Sequence, residues 1–89
     1  MYLGIDLGTS AVKVCALGPD GAVAATASAP LDVAHPFDGA SEQDCAAWWT
    51  ATCAAVGSLE ASLRARVRAI GLSGQMHGAV LLDADHRPV

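Results

Sequence analysis

Residues 4–13 read GIDLGTSAVK, and this stretch carries most of the recognisable chemistry of the chain. The carboxylate of Asp6 lies near the end of an apolar run, Gly8 follows it, and two hydroxyl residues come next. Lys13 is the only lysine of the sequence and stands among apolar residues, where it needs an anionic partner or a solvent-facing cleft. Phosphate transfer uses a carboxylate that holds Mg²⁺, N–H groups and hydroxyls that bind phosphate oxygens, and a cation. The stretch therefore indicates a phosphate site.

The glycine spacing separates this stretch from two familiar phosphate-binding motifs. It does not fit the G-x-x-x-x-G-K-[ST] spacing of the P-loop, and the chain contains no G-x-G-x-x-G. On the residues alone, an ordinary hairpin turn with a polar tip is the alternative interpretation. Both interpretations stay open on this pattern.

Alternation of apolar residues predicts strands on both sides of the Gly8 turn. We predict a first strand over residues 2–7 and a second over about 11–17. Residues 19–21 read PDG and predict a turn, because proline presets φ and glycine accepts the left-handed conformation. A third strand over about 22–28 then completes a meander of adjacent antiparallel strands.

Helical spacing of apolar residues follows a loop that is rich in proline and glycine. Ser41 and Asp44 give a start that resembles a capping box, with Ser41 as N-cap. The pattern predicts one helix over about residues 42–63, although Gly57 inside it costs about 1 kcal/mol relative to alanine. The tryptophan pair 48–49 is interpreted as a buried anchor rather than a platform for a ligand.

A second candidate site is the glycine-bordered loop of residues 74–78, which read GQMHG. Further strands are predicted on either side of it, over about 67–72 and 79–83. The thioether of Met76 can lie along the carbon side of a sugar, and the imidazole of His77 can bond a hydroxyl. A packing methionine and a satisfied core histidine are the alternative on the residues alone.

The composition is that of one small domain with many apolar residues. A chain of 89 residues buries only about 60% of its unfolded surface. Apolar residues nevertheless make up 53% of the sequence and charged residues only 16%. We expect some of the apolar residues to pack against chain that lies outside these 89 residues.

Charge and hydropathy argue against nucleic-acid and membrane partners. The formal net charge is −4, and the three arginines between positions 64 and 68 are interpreted as a solvated helix end and loop, because no aromatic residue is interleaved with them. Met1 leads directly into a strand-like run, without a basic leader or a long apolar stretch. We expect a cytoplasmic protein without a signal peptide or a membrane span.

The cysteine and remaining histidine residues give no sign of a metal site. Cys15, Cys45 and Cys53 are an odd number without C-x-x-C spacing. They are interpreted as reduced, core-type residues in a reducing compartment. His35 and His86 are interpreted as histidines of surface loops.

Residues 6–10, DLGTS, with a lysine three positions further on, resemble the first phosphate motif of the actin-like ATPase superfamily. That superfamily includes sugar kinases, Hsp70-type chaperones and hexokinases. The resemblance implies an α/β, ribonuclease H-like domain, of which this chain is the incomplete N-terminal part: a three-stranded antiparallel meander, a helix and further strands. It implies that Asp6 acts at the Mg²⁺ of MgATP through water, and that the residues lining or approaching the phosphates are Gly8, Thr9, Ser10 and Lys13.

The loop of residues 74–78, followed by an apolar run that ends in Leu-Leu-Asp at position 83, resembles the xylulokinase branch of the FGGY carbohydrate kinases. Residues 41–44, SEQD, and the tryptophan pair 48–49 match the same branch. The likeness runs from Tyr2 to Val89. Glycerol kinases carry an Asn-Gln-Arg type of sequence at the loop instead.

This resemblance implies how the loop binds a substrate. Met76 and His77 would contact a ketopentose, and Gln75 would support the loop. The family reaction transfers the γ-phosphoryl group of ATP to the 5-hydroxyl of D-xylulose, with a general-base aspartate that is not within this chain. Two residues depart from the family pattern: Ala40 stands where tryptophan is usual, and Cys45 stands where proline is usual.

The resemblance makes residues 1–89 the N-terminal part of the FGGY kinase N-terminal domain, a fragment that is not expected to be active alone. It also makes a homodimer of the full-length protein an expectation. Another FGGY kinase, for ribulose, gluconate or glycerol, is one alternative. A non-catalytic nucleotide- or phosphate-binding module, or an interaction stub, is another. An actin- or Hsp70-like ATPase is the third, against which the Met76–His77 pair argues.

Overall fold

The computed structural model describes residues 1–32, 43–74 and 80–88. The elements of this part of the chain are β1 Tyr2–Leu7, β2 Ala11–Leu17, β3 Val23–Pro30, α1 Cys45–Gly57, α2 Ala61–Arg64 and β4 Ala69–Gly74. The strands form one sheet in the order β3-β2-β1-β4. The first three strands are antiparallel neighbours, whereas β4 pairs with β1 in parallel. The predicted meander, followed by a helix and a further strand, is confirmed.

The core lies between α1 and one face of the sheet. Val12, Val14 and Ala16 alternate along β2, point to the same face and are almost fully buried. Helix α1 packs over β2 and β3 and buries Ala51 and Ala55 there. Burying one valine side chain stabilises the fold by roughly 1.5–3 kcal/mol. The buried apolar set is Leu3, Val12, Val14, Ala16, Ala29, Leu31, Ala51, Ala55, Leu59 and Leu63.

Helix α1 begins at Cys45, three residues after the predicted start. Its N-cap is Asp44, whose Oδ1 accepts a hydrogen bond of 3.0 Å from the backbone N–H of Ala46. A carboxylate at this position satisfies one of the N–H groups that have no partner within the helix. The predicted N-cap Ser41 lies outside the described residues.

The prediction of one helix over residues 42–63 is wrong at its C-terminal side. Helix α1 ends at Gly57, and the backbone N–H of the next residue, Ser58, caps the carbonyls of the last turn. A short separate helix, α2, follows. Glycine destabilises a helix interior by about 1 kcal/mol. By ending at Gly57, helix α1 avoids placing this glycine in a helix interior.

The third and fourth strands are displaced from the predicted positions. Strand β3 was predicted over residues 22–28 but continues to Pro30. Proline is compatible with this strand because β3 lies at an edge of the sheet, where it needs hydrogen bonds on one side only. Strand β4 begins and ends two residues later than the predicted 67–72, in register with β1.

The predicted fifth strand, residues 79–83, is wrong for the residues described, 80–83. These residues contain only an isolated bridge between Leu82 and Pro88. The carboxylate of Asp83 accepts two backbone hydrogen bonds from the turn that follows, of 2.9 and 3.0 Å. The Asp83 side chain thus caps the turn that follows the predicted strand.

Burial of the tryptophan and cysteine residues differs from the prediction. Trp48 is half-buried, but 72% of Trp49 is exposed, so only the first of the pair packs against the core. Cys53 is also exposed, and Cys15 and Cys45 are half-buried. The core-type interpretation is therefore wrong for Cys53, because the buried face of α1 is formed by alanines. All three cysteines are free thiols, as predicted.

Apolar side chains are exposed on the α1 side of β4. Ile70 and Leu72 pair with Leu3 and Ile5 of β1, but 58% and 79% of their surfaces are accessible. Helix α1 packs mainly over β2 and β3 and leaves β4 uncovered. Within the described ranges, no helix has both the length and the apolar character to cross a lipid bilayer.

Candidate functional site

Four polar side chains form one row across the sheet, on the face opposite α1. Asp6 of β1 is paired with Lys13 of β2 on one side and with Ser73 of β4 on the other. Lys13 is in turn paired with Ser28 of β3. Directly paired residues of neighbouring strands point to the same face of a sheet. We call these four residues the polar row.

Ser73 holds the carboxylate of Asp6. The Ser73 hydroxyl donates a hydrogen bond of 2.8 Å to Asp6 Oδ1, and the two residues are separated by 67 positions. Both residues are exposed, so the carboxylate remains accessible to a ligand. A hydrogen bond to an ionised acceptor is stronger than one between neutral groups. Ser73 therefore orients the charged group on which the predicted metal chemistry depends.

The polar row lines an open groove of about 810 Å³. The neighbouring row on the same face consists of small residues: Gly4 is paired with Cys15 and with Gly71, and Cys15 is paired with Thr26. The two glycines leave space above β1 and β4. The volume lies within the range of about 300–1,000 Å³ that is usual for small-molecule pockets.

The turn between β1 and β2 requires glycine at its first position. The Gly8 N–H donates a hydrogen bond of 3.0 Å to the carbonyl of Ala11. A Cβ atom at Gly8 would lie only 2.9 Å from that same carbonyl oxygen, closer than real Cβ contacts allow. The close approach of the two backbone segments thus explains the glycine of the DLGTS motif without reference to a ligand.

The backbone carbonyl groups of Thr9 and Ser10, in the same turn, accept hydrogen bonds from residues outside the β1–β2 hairpin. The Ser10 carbonyl accepts a hydrogen bond of 2.9 Å from the Leu31 N–H. The Thr9 carbonyl accepts one from the side-chain Nε2 of Gln43, 34 positions away. Gln43 Oε1 in turn accepts a hydrogen bond of 3.2 Å from the indole N–H of Trp48. The turn is therefore fixed from outside the hairpin.

The structure brings together the residues predicted for the phosphate site. Asp6 and Lys13 are neighbours in the polar row, and residues 8–10 form the turn that joins the same two strands. Sequence reasoning missed Ser73, which the parallel register of β4 would have revealed. It also missed the role of Gln43, for which no local signal exists because its partner lies in another element.

The residues predicted to bind the sugar, Gln75, Met76 and His77, lie outside the described residues. Strand β4 ends at Gly74, immediately before them. The polar row and the predicted sugar loop are thus adjacent along the chain, because Ser73 is the last residue but one of β4.

A magnesium ion fits the donor set at Asp6. Mg²⁺ prefers oxygen ligands, keeps several waters and is usually held by one or two carboxylates together with substrate phosphates. Asp6 supplies an exposed carboxylate whose orientation is set by Ser73. Among residues 1–32, 43–74 and 80–88, no three histidine, cysteine, aspartate or glutamate side chains cluster as a metal cage. The described residues would thus contribute one carboxylate to this site.

Residues 1–89 match the N-terminal domain of the FGGY family of carbohydrate kinases over their whole length. The chain belongs to the FGGY family. It is 51% identical over 89 residues to a xylulose kinase of Escherichia coli K12, covering 98% of this chain and 18% of that protein. It is likewise 51% identical over 85 residues to a xylulose kinase of Klebsiella pneumoniae, covering 93% of this chain and 17% of that protein.

The fold of this FGGY chain agrees with that of solved relatives. A crystal structure of a xyloylose kinase from Brucella ovis superposes with a TM-score of 0.93 at 46% identity, covering 98% of this chain and 19% of that one. The mixed sheet with its helix is therefore the N-terminal part of the actin-like ATPase fold, as the sequence predicted. The chain spans less than a fifth of the length of these relatives.

Proposed function

We propose that the protein carrying this FGGY segment is a xylulokinase, which transfers the γ-phosphoryl group of ATP to the 5-hydroxyl of D-xylulose. The observation that supports the proposal most is the polar row: Asp6 and Lys13 face one open groove, which Ser73 of β4 also lines. Phosphoryl transfer depends on positioning and on charge stabilisation more than on covalent chemistry by the protein. The groove offers side chains for both positioning and charge stabilisation. The segment that forms it is 51% identical to a xylulose kinase.

In this proposal the β1–β2 turn binds the phosphates of ATP. Gly8, Thr9 and Ser10 line them, with hydroxyls and backbone N–H groups as donors. Lys13, which is exposed on the groove side of β2, offsets the negative charge of the transferring group. Charge-assisted hydrogen bonds of this kind are about twice as strong as neutral ones.

Asp6 would hold Mg²⁺ through water, with Ser73 keeping its carboxylate in place. An ion held by Asp6 would supply positive charge that offsets the charge on the phosphate groups. The fixed orientation of Asp6 matters because a carboxylate that rotates freely must lose that freedom each time the ion and nucleotide bind.

Gln75, Met76 and His77 would form the sugar side of the site. Met76 and His77 contact the ketopentose, and Gln75 supports the loop. The general base that accepts the proton of the sugar hydroxyl is an aspartate outside residues 1–89. Closure over the sugar and nucleotide would exclude water from the transfer, as in other enzymes with closing domains.

We further propose that residues 1–89 are the N-terminal part of the FGGY kinase N-terminal domain, with the rest of that domain and a C-terminal domain in a longer polypeptide. That kinase would be a cytoplasmic enzyme, would use ATP and Mg²⁺, would not bind nucleic acid or membranes, and would form a homodimer. Sequencing the coding region past the codon for Val89 tests whether residues 1–89 belong to a longer polypeptide. A stop codon at that position would contradict it.

The substrate is tested by phosphorylation assays of the full-length polypeptide with D-xylulose, L-ribulose, gluconate and glycerol. We expect D-xylulose to give the highest kcat/KM. A strong preference for glycerol would contradict the proposal and favour another FGGY kinase. Saturable MgATP binding by the 89-residue chain, without activity in any longer product, would instead favour a non-catalytic nucleotide-binding module.

A further inference from the structure

Gln43 connects the start of α1 with the β1–β2 turn through both ends of its side-chain amide. Its Nε2 donates to the Thr9 carbonyl, and its Oε1 accepts from Trp48 Nε1. An indole N–H can only donate a hydrogen bond, so Trp48 must face the oxygen of the amide. The nitrogen of Gln43 is thereby turned toward Thr9. Trp48 and Gln43 are both half-buried, which limits competition from water.

The bond to the Thr9 carbonyl sets the direction of the next N–H group. In a trans peptide, the carbonyl of one residue and the N–H of the next point in opposite directions. The described residues contain no cis peptide bond. With its carbonyl held toward Gln43, the Thr9–Ser10 peptide must direct the Ser10 N–H away from α1. The Leu31 N–H holds the following carbonyl, that of Ser10, so the turn is fixed at two successive peptides.

We propose that Gln43 is a positioning residue for nucleotide binding: it holds the Thr9–Ser10 peptide with its N–H toward the phosphates, and Trp48 keeps the Gln43 amide in the required orientation. This inference rests on the proposed function, in which residues 8–10 bind the phosphates of ATP. Reversal of this peptide would present a carbonyl oxygen to an anion in place of an N–H donor. The contact therefore contributes to affinity for the nucleotide and not for the sugar.

The test compares variants of the full-length kinase by calorimetric titration with MgATP and, separately, with D-xylulose. Gln43→Glu keeps the size of the side chain but loses the donor to Thr9, and Gln43→Ala loses both hydrogen bonds. We expect each to raise the Kd for MgATP by about fivefold or more, the equivalent of one hydrogen bond. The Kd for the sugar should stay within about twofold, which is less than the loss of one hydrogen bond.

Trp48→Phe removes the indole N–H but keeps an aromatic ring, and Trp49→Phe is its matched control on the exposed side of α1. We expect a smaller rise in the Kd for MgATP, about two- to threefold, for Trp48→Phe and none for Trp49→Phe. In the Gln43→Ala background, Trp48→Phe should have no further effect, because the two residues act through one contact.

Unchanged MgATP affinity in folded Gln43→Glu and Trp48→Phe variants would overturn the inference, and so would equal losses of affinity for MgATP and sugar. Thermal unfolding of each variant shows whether it is folded. A wild-type protein that binds MgATP but phosphorylates no sugar would contradict the proposed function alone. In that case the MgATP titrations would still support or overturn the role of Gln43.

Discussion

Ser73 Oγ lies 2.8 Å from Asp6 Oδ1, and this hydrogen bond joins the last residue but one of each of two parallel strands. Ser73 places a neutral donor beside the carboxylate on one side. On the other side, Lys13 occupies the position of β2 that is paired with Asp6. Asp6 thus stands between a hydroxyl residue and a cationic residue in one row. Its orientation is a property of the sheet register rather than of the β1–β2 turn.

Ser73→Ala should lower the kcat/KM for MgATP of the full-length kinase by roughly 3- to 10-fold, the value of one ordinary net hydrogen bond at an exposed position. The Asp6 carboxylate would keep its place but lose its fixed orientation. Ser73→Thr should retain most of the activity because it keeps the hydroxyl. Ser62→Ala, the same change at an exposed position of α2, serves as the control. Steady-state kinetics at varied MgATP measure the effect, and equal values for Ser73→Ala and wild type would contradict it.

Asp6→Ala should abolish turnover, and Asp6→Asn should lower kcat by at least about 10²-fold, since removing one preorganised electrostatic contact typically costs that much. The amide keeps the size of the side chain but loses the charge that holds Mg²⁺. Asp32→Asn makes the same change at an exposed position outside the groove and should leave kcat unaltered. Turnover measured over a range of Mg²⁺ concentrations checks the prediction. Normal turnover by Asp6→Asn would show that another group holds the ion.

His77→Ala should mainly raise the KM for D-xylulose, by about tenfold for the loss of a hydrogen bond to a sugar hydroxyl. The KM for MgATP should remain within about twofold of the wild-type value, since less than one hydrogen bond is then affected. Kinetics with each substrate varied in turn separate the two effects. A larger change in the KM for MgATP than in that for sugar would assign His77 to the nucleotide side.

Two glycines should respond in opposite ways to replacement by alanine. At Gly8 the new Cβ would lie 2.9 Å from the Ala11 carbonyl, whereas at Gly57 nothing lies within 4 Å. We therefore expect Gly8→Ala to destabilise the protein by about 1–3 kcal/mol, because the new Cβ would push the two backbone segments apart. Gly57→Ala should stabilise it by about 0.4–1 kcal/mol, because alanine restricts the unfolded chain. Midpoints of urea denaturation measure both changes. A shift in the same direction for both variants would refute the steric argument at Gly8.

The first two strands were predicted well from the sequence because their signals are local. Alternation along residues 2–7 and 11–17 needs no information from the rest of the chain, and both strands have the predicted bounds. The proposed phosphate site was predicted from the same region, since Asp6 and Lys13 stand on strands that share a turn. Where local signals conflicted, at Gly57, the prediction extended the helix too far.

Features that depend on distant pairing could not be predicted in this way. The hydrogen bond between Ser73 and Asp6 requires the parallel register of β4, and the contact of Gln43 with Thr9 requires α1 to lie beside the hairpin. The apolar run at residues 80–82 looked like a strand because hydropathy does not show which partner a strand will find. In the structure Leu82 forms only an isolated bridge with Pro88, and a turn capped by Asp83 follows.

The parallel pairing of β1 with β4 also sets the order in which this site can assemble during folding. The β1–β2–β3 meander closes through short turns, whereas β4 joins β1 only after the whole intervening chain, including α1, has been enclosed in a loop. Contacts distant in sequence form more slowly than local ones, because the entropy of loop closure must be overcome first. Asp6 and Lys13 are therefore expected to become neighbours early, and Ser73 to reach them last. Hydrogen exchange during refolding should show protection of β2 before β4, and simultaneous protection would contradict this order.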